Sequence, residues 1–329
     1  MDGVTLGSVG AALLGTSVYY VAFLFFRQAA SRMPPLRGSR LFHTAWHMLT
    51  DWVWFTGGIL LFIGLAYEVI AFSALPLGVA QPVFSVSLML LLAYATLFLG
   101  ERLSAREWAS VALFGVATVL LGLSSAETDG TDLDPRSPTL PELALVTVPP
   151  LLIAGLVWLV GDRRRGGRHA RPLAGVAYGI GAGVCSGVAE TGIRGIAAVW
   201  ASEGDVWALV SSPYPYLTLG MAAIALAQLQ IALQRCRIAI VATLITVTGR
   251  TMLVLCSPVL FDEPWPDGFA PTVLRTGGFV LTLAAIVLFP RHEMPRPSVA
   301  PRYGPRRHRE PVPVPPPGRG ARSPEFNRP

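Results

Sequence analysis

The charged residues that lie inside long apolar stretches are the first places where this chain could do chemistry. Glu68, Glu190, Arg194 and Arg250 each occupy such a position. On membrane-insertion scales, a charged side chain at the centre of an apolar helix costs about 2.5–3.5 kcal/mol. Each of these charges must therefore be paired inside the protein, or be retained because it binds a solute or ion. All four are predicted contacts of a small solute.

Arg250 is the first of these candidates. It follows Gly249 near the middle of an apolar stretch, and no carboxylate lies within reach on the same helix. Its guanidinium must therefore contact a carboxylate of another helix, for instance Glu68 or Glu190, or an anionic group of the solute. A fixed positive charge at this position also argues against a pathway dedicated to a bare divalent cation.

The two central glutamates each have two interpretations. Glu190 and Arg194 are four residues apart, in the order that favours an ion pair along one helix. A self-neutralising pair on a packed face is the simpler interpretation, but an opened pair could hold a zwitterion. Glu68 is either a carboxylate that binds a proton, a cation or an ammonium group, or one that is protonated or bonded to a neighbouring helix.

Three further residues complete the predicted site. Gln81 and Pro82 stand near the start of an apolar stretch, where Pro82 removes a backbone donor and could act as a hinge. A tolerated helix kink is the alternative interpretation. Gln228, with Gln230 beside it, is expected to form a polar cluster with Glu68.

Other patterns favour structure over chemistry. A glycine at every fourth position over residues 175–187 predicts a flat helix face for close contact with another helix. His43, His47 and Asp51 have a metal-like spacing, which an interfacial helix face explains better. We expect no metal site, no cofactor and no catalytic residue, since the chain shows no nucleophile elbow and no phosphate-binding loop. Arg275 is expected to snorkel toward the membrane surface.

The composition requires membrane helices to carry these residues. Of the 329 residues, 52% are hydrophobic and only 14% are charged, and the mean hydropathy is +0.53. A soluble globule of this size could not bury so much apolar surface. A disordered chain or a disulfide-stapled module would have a different composition. The chain is therefore predicted to be an all-α polytopic membrane protein.

Apolar stretches of about 20 residues, the length needed to cross a bilayer, predict about nine transmembrane helices. Pro76 and Gly78 divide a charge-free stretch of 32 residues, so that the third span begins near Leu77. The other spans are predicted at residues 3–26, 52–74, 108–123, 143–160, 172–200, 214–234, 238–260 and 271–289.

The distribution of arginine sets the predicted orientation. The loops and the tail that are predicted to face the cytoplasm hold 22 of the 26 basic residues, all of them arginine. This bias places the N-terminus outside and the C-terminus in the cytoplasm, and the inner (cytoplasmic) cell membrane is the predicted location. It also accounts for the net charge of +6 without a nucleic-acid partner.

The chain contains a weak internal repeat. Residues 55–100 align on residues 216–261 without a gap, and the two halves cover about 52–123 and 213–289. The halves are offset by five predicted spans, and an odd offset places them in opposite orientations. The sequence therefore predicts an inverted-repeat bundle, in which one half can rock against the other.

Two regions follow from these patterns: a transmembrane domain over residues 1–289, for which the family resemblance below implies a transporter, and a tail over residues 290–329. Twelve of the 40 tail residues are proline, and nine are arginine. Such a segment cannot build a core, so we expect a disordered, Arg/Pro-rich cytoplasmic tail.

A family resemblance rests on the region after the second span. Residues 74–84 read Ala-Leu-Pro-Leu-Gly-Val-Ala-Gln-Pro-Val-Phe, and residues 99–104 read Leu-Gly-Glu-Arg-Leu-Ser. Followed by Trp108 and Gly115, this pattern resembles the EamA-like half-domain of the drug/metabolite transporter superfamily. The aromatic start of the second span, over residues 51–58, and the nine-span count are similar to the NIPA-type magnesium transporter-like branch.

The resemblance implies transport by alternating access, and three hypotheses stay open. The first is a secondary transporter that exports a small organic solute, an amino acid or a metabolite, with coupling to a proton or cation as an option. The alternative is a transporter of magnesium or another divalent cation that uses Glu68 and Glu190. The third is a membrane scaffold that transports nothing and acts through its tail. No enzymatic activity is expected.

Overall fold

The computed structural model describes the chain in segments, which are residues 3–34, 36, 41–75, 92, 95–96, 104–124, 138–161, 170–262 and 268–288. In these segments the regular structure is α-helical, and ten helices have defined bounds. They are α1 (Gly3–Arg32), α2 (Leu41–Thr50), α3 (Trp52–Ala74), α4 (Ala105–Ser124), α5 (Leu140–Gly161), α6 (Ala170–Glu203), α7 (Val206–Ser211), α8 (Tyr214–Arg235), α9 (Ile238–Phe261) and α10 (Phe269–Leu288).

Among the described residues, six helices are long and apolar enough to cross a membrane: α1, α3, α4, α5, α8 and α9. In addition, α10 contains the shorter apolar segment Phe269–Ala285, and α6 is 34 residues long. The prediction of an α-helical polytopic membrane protein is therefore confirmed. The third predicted span, with Gln81 and Pro82, lies outside the described residues, as does the tail over residues 290–329. The count of nine helices stays a prediction.

Capping interactions fix where two of the helices begin. At α3, the carboxylate of Asp51 accepts a hydrogen bond of 2.9 Å from the backbone N of Trp54. At α4, Ser104 N donates to Glu107 Oε2 at 2.6 Å, and Glu107 N donates to Ser104 Oγ at 3.3 Å. This reciprocal arrangement is a capping box. Asp51 and Glu107 thus hold helix starts in place.

α6 contacts both α8 and α9, and glycines line its contact faces. A Cβ atom added to Gly179 would lie 3.3 Å from Leu244 Cδ1, and one added to Gly187 would lie 3.0 Å from the carbonyl carbon of Gly249. Larger side chains would push the helices apart, so the predicted close-contact face on α6 is confirmed. The glycines of α6 that face α8 in the same way are Gly175, Gly181, Gly192 and Gly195.

α1 and α3 cross closely at a pair of glycines. A Cβ atom added to Gly15 would lie 3.1 Å from Gly64 O, and one added to Gly64 would lie 3.0 Å from Gly15 O. Tyr19 follows Gly15 by one helical turn, and Glu68 follows Gly64 by one turn. The close crossing therefore brings the side chains of these two residues into the same region of the protein.

α4 and α10, the last helices of the two predicted halves, contact each other. Ser110 Oγ donates a hydrogen bond of 2.6 Å to Ala285 O, and Arg275 Nε lies 3.4 Å from Ser124 Oγ. Arg275 is only 5% exposed, so the expectation that it snorkels is wrong. A hydroxyl partner on α4 holds its head group between the two helices. Pairing of the two last helices agrees with an inverted repeat, which stays a prediction.

The turn that joins α8 to α9 is tied to α1. Arg27 donates hydrogen bonds to two carbonyl oxygens at the end of α8, one of them Cys236 O at 3.2 Å. Gln234 Nε2 donates to Ala30 O at 3.0 Å, and Gln234 Oε1 accepts a hydrogen bond of 2.8 Å from Leu36 N. The backbone groups Ala30 O, Pro34 O and Leu36 N, together with the Arg27 side chain, thus hold this turn.

The same turn is also tied to α4. Arg237 forms a salt bridge with Glu107, whose side chain is fully buried. We call Arg27, Gln234, Arg237 and Glu107 the α8–α9 clamp. The segments that carry the clamp are all predicted to face the cytoplasm.

Candidate functional site

Three of the predicted residues meet in the structure. Arg250 Nη2 lies 3.5 Å from Glu68 Oε1, and Arg250 Nη1 lies 3.0 Å from Glu190 Oε2. One guanidinium on α9 therefore bridges two carboxylates, one from α3 and one from α6. The expectation that Arg250 contacts a carboxylate of another helix is confirmed, and it contacts both named candidates. We call these three residues the charged triad.

The charged triad is shielded from the surface. The side chains of Arg250, Glu68 and Glu190 are 7%, 11% and 14% exposed. An isolated charge at such depth would be strongly unfavourable, and ion pairing offsets part of that cost. Two carboxylates and one guanidinium, when ionised, leave one net negative charge. The site therefore attracts cations more than anions.

Small residues on α6 and α9 let Arg250 reach Glu190. Gly249 precedes Arg250, and a Cβ atom added to Gly249 would lie 3.0 Å from Ser186 Oγ on α6. Gly187 lies on the facing surface of α6, three residues before Glu190. Because the two backbones approach so closely here, the guanidinium of one helix reaches the carboxylate of the other.

A small cavity, with space for about one water molecule, lies beside the charged triad. All three triad residues line it, together with the close crossing of α1 and α3. The lining residues outside the triad are Gly15, Thr16, Tyr19 and Gly64. This space can hold a water molecule next to the two carboxylates.

A larger cavity neighbours the first one. Tyr19 and Glu190 line both cavities. The other walls come from α1, α3, α6, α8 and α9 and are mainly apolar, with the hydroxyls of Ser186 and Thr218 as exceptions. Glu190 and Tyr19 therefore connect the charged triad with a mostly apolar chamber.

Residues of α1 are the part of the site that sequence reasoning missed. Tyr19 lines both cavities, Thr16 lines the smaller one, and the Tyr20 hydroxyl lies 3.1 Å from Thr246 Oγ1. A signal was present, because four of the five residues over 16–20 carry a hydroxyl inside the first apolar stretch. The sequence gives no indication that this group lies next to Glu68.

Arg194 has a different environment. Its guanidinium carbon lies 5.3 Å from the centroid of the Phe261 ring, which is a cation–π contact at the end of α9. It lines neither of the two cavities. Glu190, the expected partner of Arg194 along α6, contacts Arg250. Arg194 therefore remains a predicted solute contact without a place in the cavity walls.

The two glutamines of α8 are fully buried. Within the described part of the chain, the amide nitrogen and oxygen of Gln228 and of Gln230 have no hydrogen-bond partner. Gln228 lies against Gly181 of α6, where an added Cβ would overlap the amide oxygen. Gln228 and Gln230 line neither cavity. The predicted role of Gln228 in solute binding stays a prediction, as do those of Gln81 and Pro82, which lie outside the described residues.

The donor set of the site favours a hydrated cation over a fully coordinated one. Among the described residues, no group of three or more His, Cys, Asp or Glu could hold a metal ion. Mg²⁺ usually keeps several water molecules and binds through one or two carboxylates. Glu68 and Glu190 could serve such an ion, and the Arg250 guanidinium now lies between them.

A comparison with protein families found a match over nearly the whole chain. The family model described as "Magnesium transporter NIPA" matches residues 3–294. This range contains all ten described helices, the charged triad and both cavities. Comparisons with curated proteins and with solved structures each found no match. The resemblance predicted from residues 51–58 and 74–104 is therefore confirmed.

Proposed function

We propose that this chain, which belongs to the magnesium transporter NIPA family, carries Mg²⁺ across a membrane. It is a multi-pass membrane transporter by family and by its apolar helices. The sequence alone favours an organic solute over magnesium. The family match reverses that order and supports the alternative hypothesis better than the main one.

The observation that carries the proposal is the pair of carboxylates that face a single buried cation. Glu68 and Glu190 come from different helices and both contact Arg250, at 3.5 and 3.0 Å. A buried position with two carboxylate ligands and an adjoining cavity suits an ion that keeps part of its water shell. We propose that Mg²⁺ takes these carboxylates as ligands during transport.

We also propose the direction of the chain in the membrane and the type of motion. The arginine bias supports an external N-terminus and a cytoplasmic C-terminus. The α4–α10 pairing supports two halves related by inversion, which would open the site to either side in turn. Under this proposal the α8–α9 clamp holds the cytoplasmic end closed.

The experiment is Mg²⁺ uptake into proteoliposomes loaded with a magnesium-sensitive dye. Wild-type protein should give uptake that rises with external Mg²⁺, and Glu68→Gln should reduce the rate at least about tenfold, since one of two carboxylate ligands is lost. Glu203→Gln removes an exposed carboxylate at the end of α6 and serves as the matched control. Wild-type vesicles that take up no more Mg²⁺ than protein-free vesicles would contradict the proposal.

The larger cavity favours one second candidate, the transport of a small organic solute. Its walls are mainly apolar and include Glu190 and Tyr19. A chamber of this kind suits a compound with an apolar body and a charged or polar end. Counterflow of labelled amino acids and metabolites into Mg²⁺-free proteoliposomes tests it. Accumulation by wild-type protein but not by Arg250→Gln would support the candidate, and its absence for all compounds would reject it.

A further inference from the structure

We propose that Arg250 is a tethered cation, which occupies the magnesium site when Mg²⁺ is absent and leaves the two carboxylates when Mg²⁺ binds. The inference rests on the proposed function and concerns the regulation of that same site. It assigns Arg250 the role of a built-in competitor of the transported ion.

The geometry supports competition for one position. Arg250 presents one terminal nitrogen to Glu68 and the other to Glu190. An ion held by both carboxylates must lie between them, where the guanidinium lies in this structure. Mg²⁺ holds its oxygen ligands at about 2.0–2.1 Å, so it cannot share that space with the two nitrogens.

The net charge of the site also requires that Arg250 moves when Mg²⁺ binds. The triad with all groups ionised has a net charge of −1, from two carboxylates and one guanidinium. Adding Mg²⁺ without moving Arg250 would change that charge to +1 inside a buried space. An uncompensated buried charge is strongly unfavourable, whereas Mg²⁺ and two carboxylates alone are balanced. The guanidinium must therefore move away from the ion.

The displaced guanidinium stays tethered to α9. Arginine has a long, flexible side chain, so its head can move away from the two carboxylates while its backbone stays in α9. The small cavity that Arg250, Thr16 and Tyr19 line lies directly beside it. A guanidinium held so near returns readily when the ion leaves.

A tethered competitor has two measurable consequences. It lowers the apparent affinity for Mg²⁺, because only the fraction of molecules with a displaced guanidinium can bind. It also speeds release, because the returning guanidinium replaces the ion at the carboxylates. Without it, the site should bind Mg²⁺ more tightly and release it more slowly.

The experiment measures Mg²⁺ binding by the purified full-length chain with calorimetry and Mg²⁺ uptake in proteoliposomes. Arg250→Gln should tighten the Kd for Mg²⁺ at least about tenfold and slow uptake at saturating Mg²⁺ by a similar factor. Arg250→Lys should give an intermediate Kd, since a single ammonium cannot bridge both carboxylates as the planar guanidinium does. Arg275→Gln removes a buried arginine between α4 and α10 and should leave the Kd unchanged.

The possible outcomes distinguish failure of the inference alone from failure of the proposed function. If wild-type uptake depends on Glu68 but Arg250→Gln binds Mg²⁺ no more tightly than wild type, the inference is overturned and the proposed function stands. If Arg250→Gln does not fold, Arg250→Lys decides, and an unchanged or weaker Kd overturns the inference. Wild-type protein that neither binds nor takes up Mg²⁺ overturns the proposed function and the inference with it.

Discussion

Three charged side chains share one buried space, so the effect of removing one depends on which charges remain. Without Glu68 or Glu190, a neutral pair is left, because Arg250 keeps one carboxylate. Without Arg250, two carboxylates face each other with no cation between them. Removing the partner of a buried charge is among the most destabilising single changes in proteins.

Arg250→Gln should therefore lower the stability of the protein more than Glu68→Gln does. We expect a loss of about 3 kcal/mol or more for Arg250→Gln, and less than half of that for Glu68→Gln. Thermal unfolding of the two variants in detergent, followed by tryptophan fluorescence, makes the comparison. Added Mg²⁺ should raise the melting temperature of Arg250→Gln by more than it raises that of wild type. A lower melting temperature for Glu68→Gln than for Arg250→Gln would contradict this ranking.

Sequence could predict that Arg250 needs a carboxylate, because a charge inside an apolar span requires a partner. It could not predict that both Glu68 and Glu190 contact it, since that depends on how α3, α6 and α9 pack. The part played by Tyr19 and Thr16 was missed for the same reason. Their place in the site follows from the α1–α3 crossing, which no local pattern reveals.

At the scale of helices, the contact between α6 and α9 positions the site. A Cβ atom on Gly183 would lie 3.0 Å from Ile245 Cα and would overlap the Thr248 hydroxyl. The backbone of α9 cannot yield as a flexible side chain would, so any enlargement on this face separates the two helices. Separation would also draw Arg250 away from Glu190.

Gly183→Ala should destabilise the protein by about 1–3 kcal/mol and reduce Mg²⁺ uptake. Gly155→Ala on α5 is the matched control, because an added Cβ there meets nothing within 4 Å. The control should be neutral, or more stable by up to about 1 kcal/mol, since alanine favours helix. Melting temperatures in detergent measure both effects. A Gly183→Ala protein as stable as wild type would show that the two helices have spare room.

The helices themselves could be predicted well from sequence, because length and hydropathy determine which segments can cross a bilayer. The four-residue glycine spacing also predicted a contact face, although not its partner. The position of Arg275 could not be predicted in this way. Its position near a span end suggested an exposed head group, but the hydroxyl of Ser124 on α4 holds it inside.

At the scale of the whole molecule, transport requires that one end of the bundle opens while the other closes. The α8–α9 clamp ties one end together through α1 and α4. Cys236 lies at this turn and is only 8% exposed. Burial raises the pKa of the Cys236 thiol to about 11, although nearby arginines oppose that shift. At neutral pH it is therefore almost wholly protonated and reacts slowly.

Gln234→Ala should make Cys236 at least about tenfold more reactive toward a membrane-impermeant maleimide at pH 7.5. The change removes the hydrogen bonds to Ala30 and Leu36 without altering charge, so faster labelling reports opening and solvation of the turn. Cys185 and Cys256 are replaced by serine in all proteins compared. Gln28→Ala, at an exposed position of α1, serves as the control. Equal labelling of wild type and Gln234→Ala would show that these bonds do not hold the turn closed.

Deletion of residues 295–329 should leave Mg²⁺ uptake within about twofold of wild type, because the proposed site lies in α1, α3, α6 and α9. The comparison uses proteoliposomes with equal amounts of inserted protein. A scaffold that acts through its tail predicts the opposite, namely that the deletion removes the function. Loss of uptake by the truncated, correctly inserted chain would contradict the expectation, whereas absence of uptake from the full-length chain as well would favour that third hypothesis.

The most direct test of the account is a double-mutant cycle on Mg²⁺ uptake with Glu68→Gln, Glu190→Gln and the combined variant. If the two carboxylates form one site, each single change should reduce uptake at least about tenfold, and the combined change should reduce it little further. Uptake by Glu190→Gln at the wild-type rate would contradict a shared site. So would losses that simply multiply in the combined variant, since independent positions behave in that way.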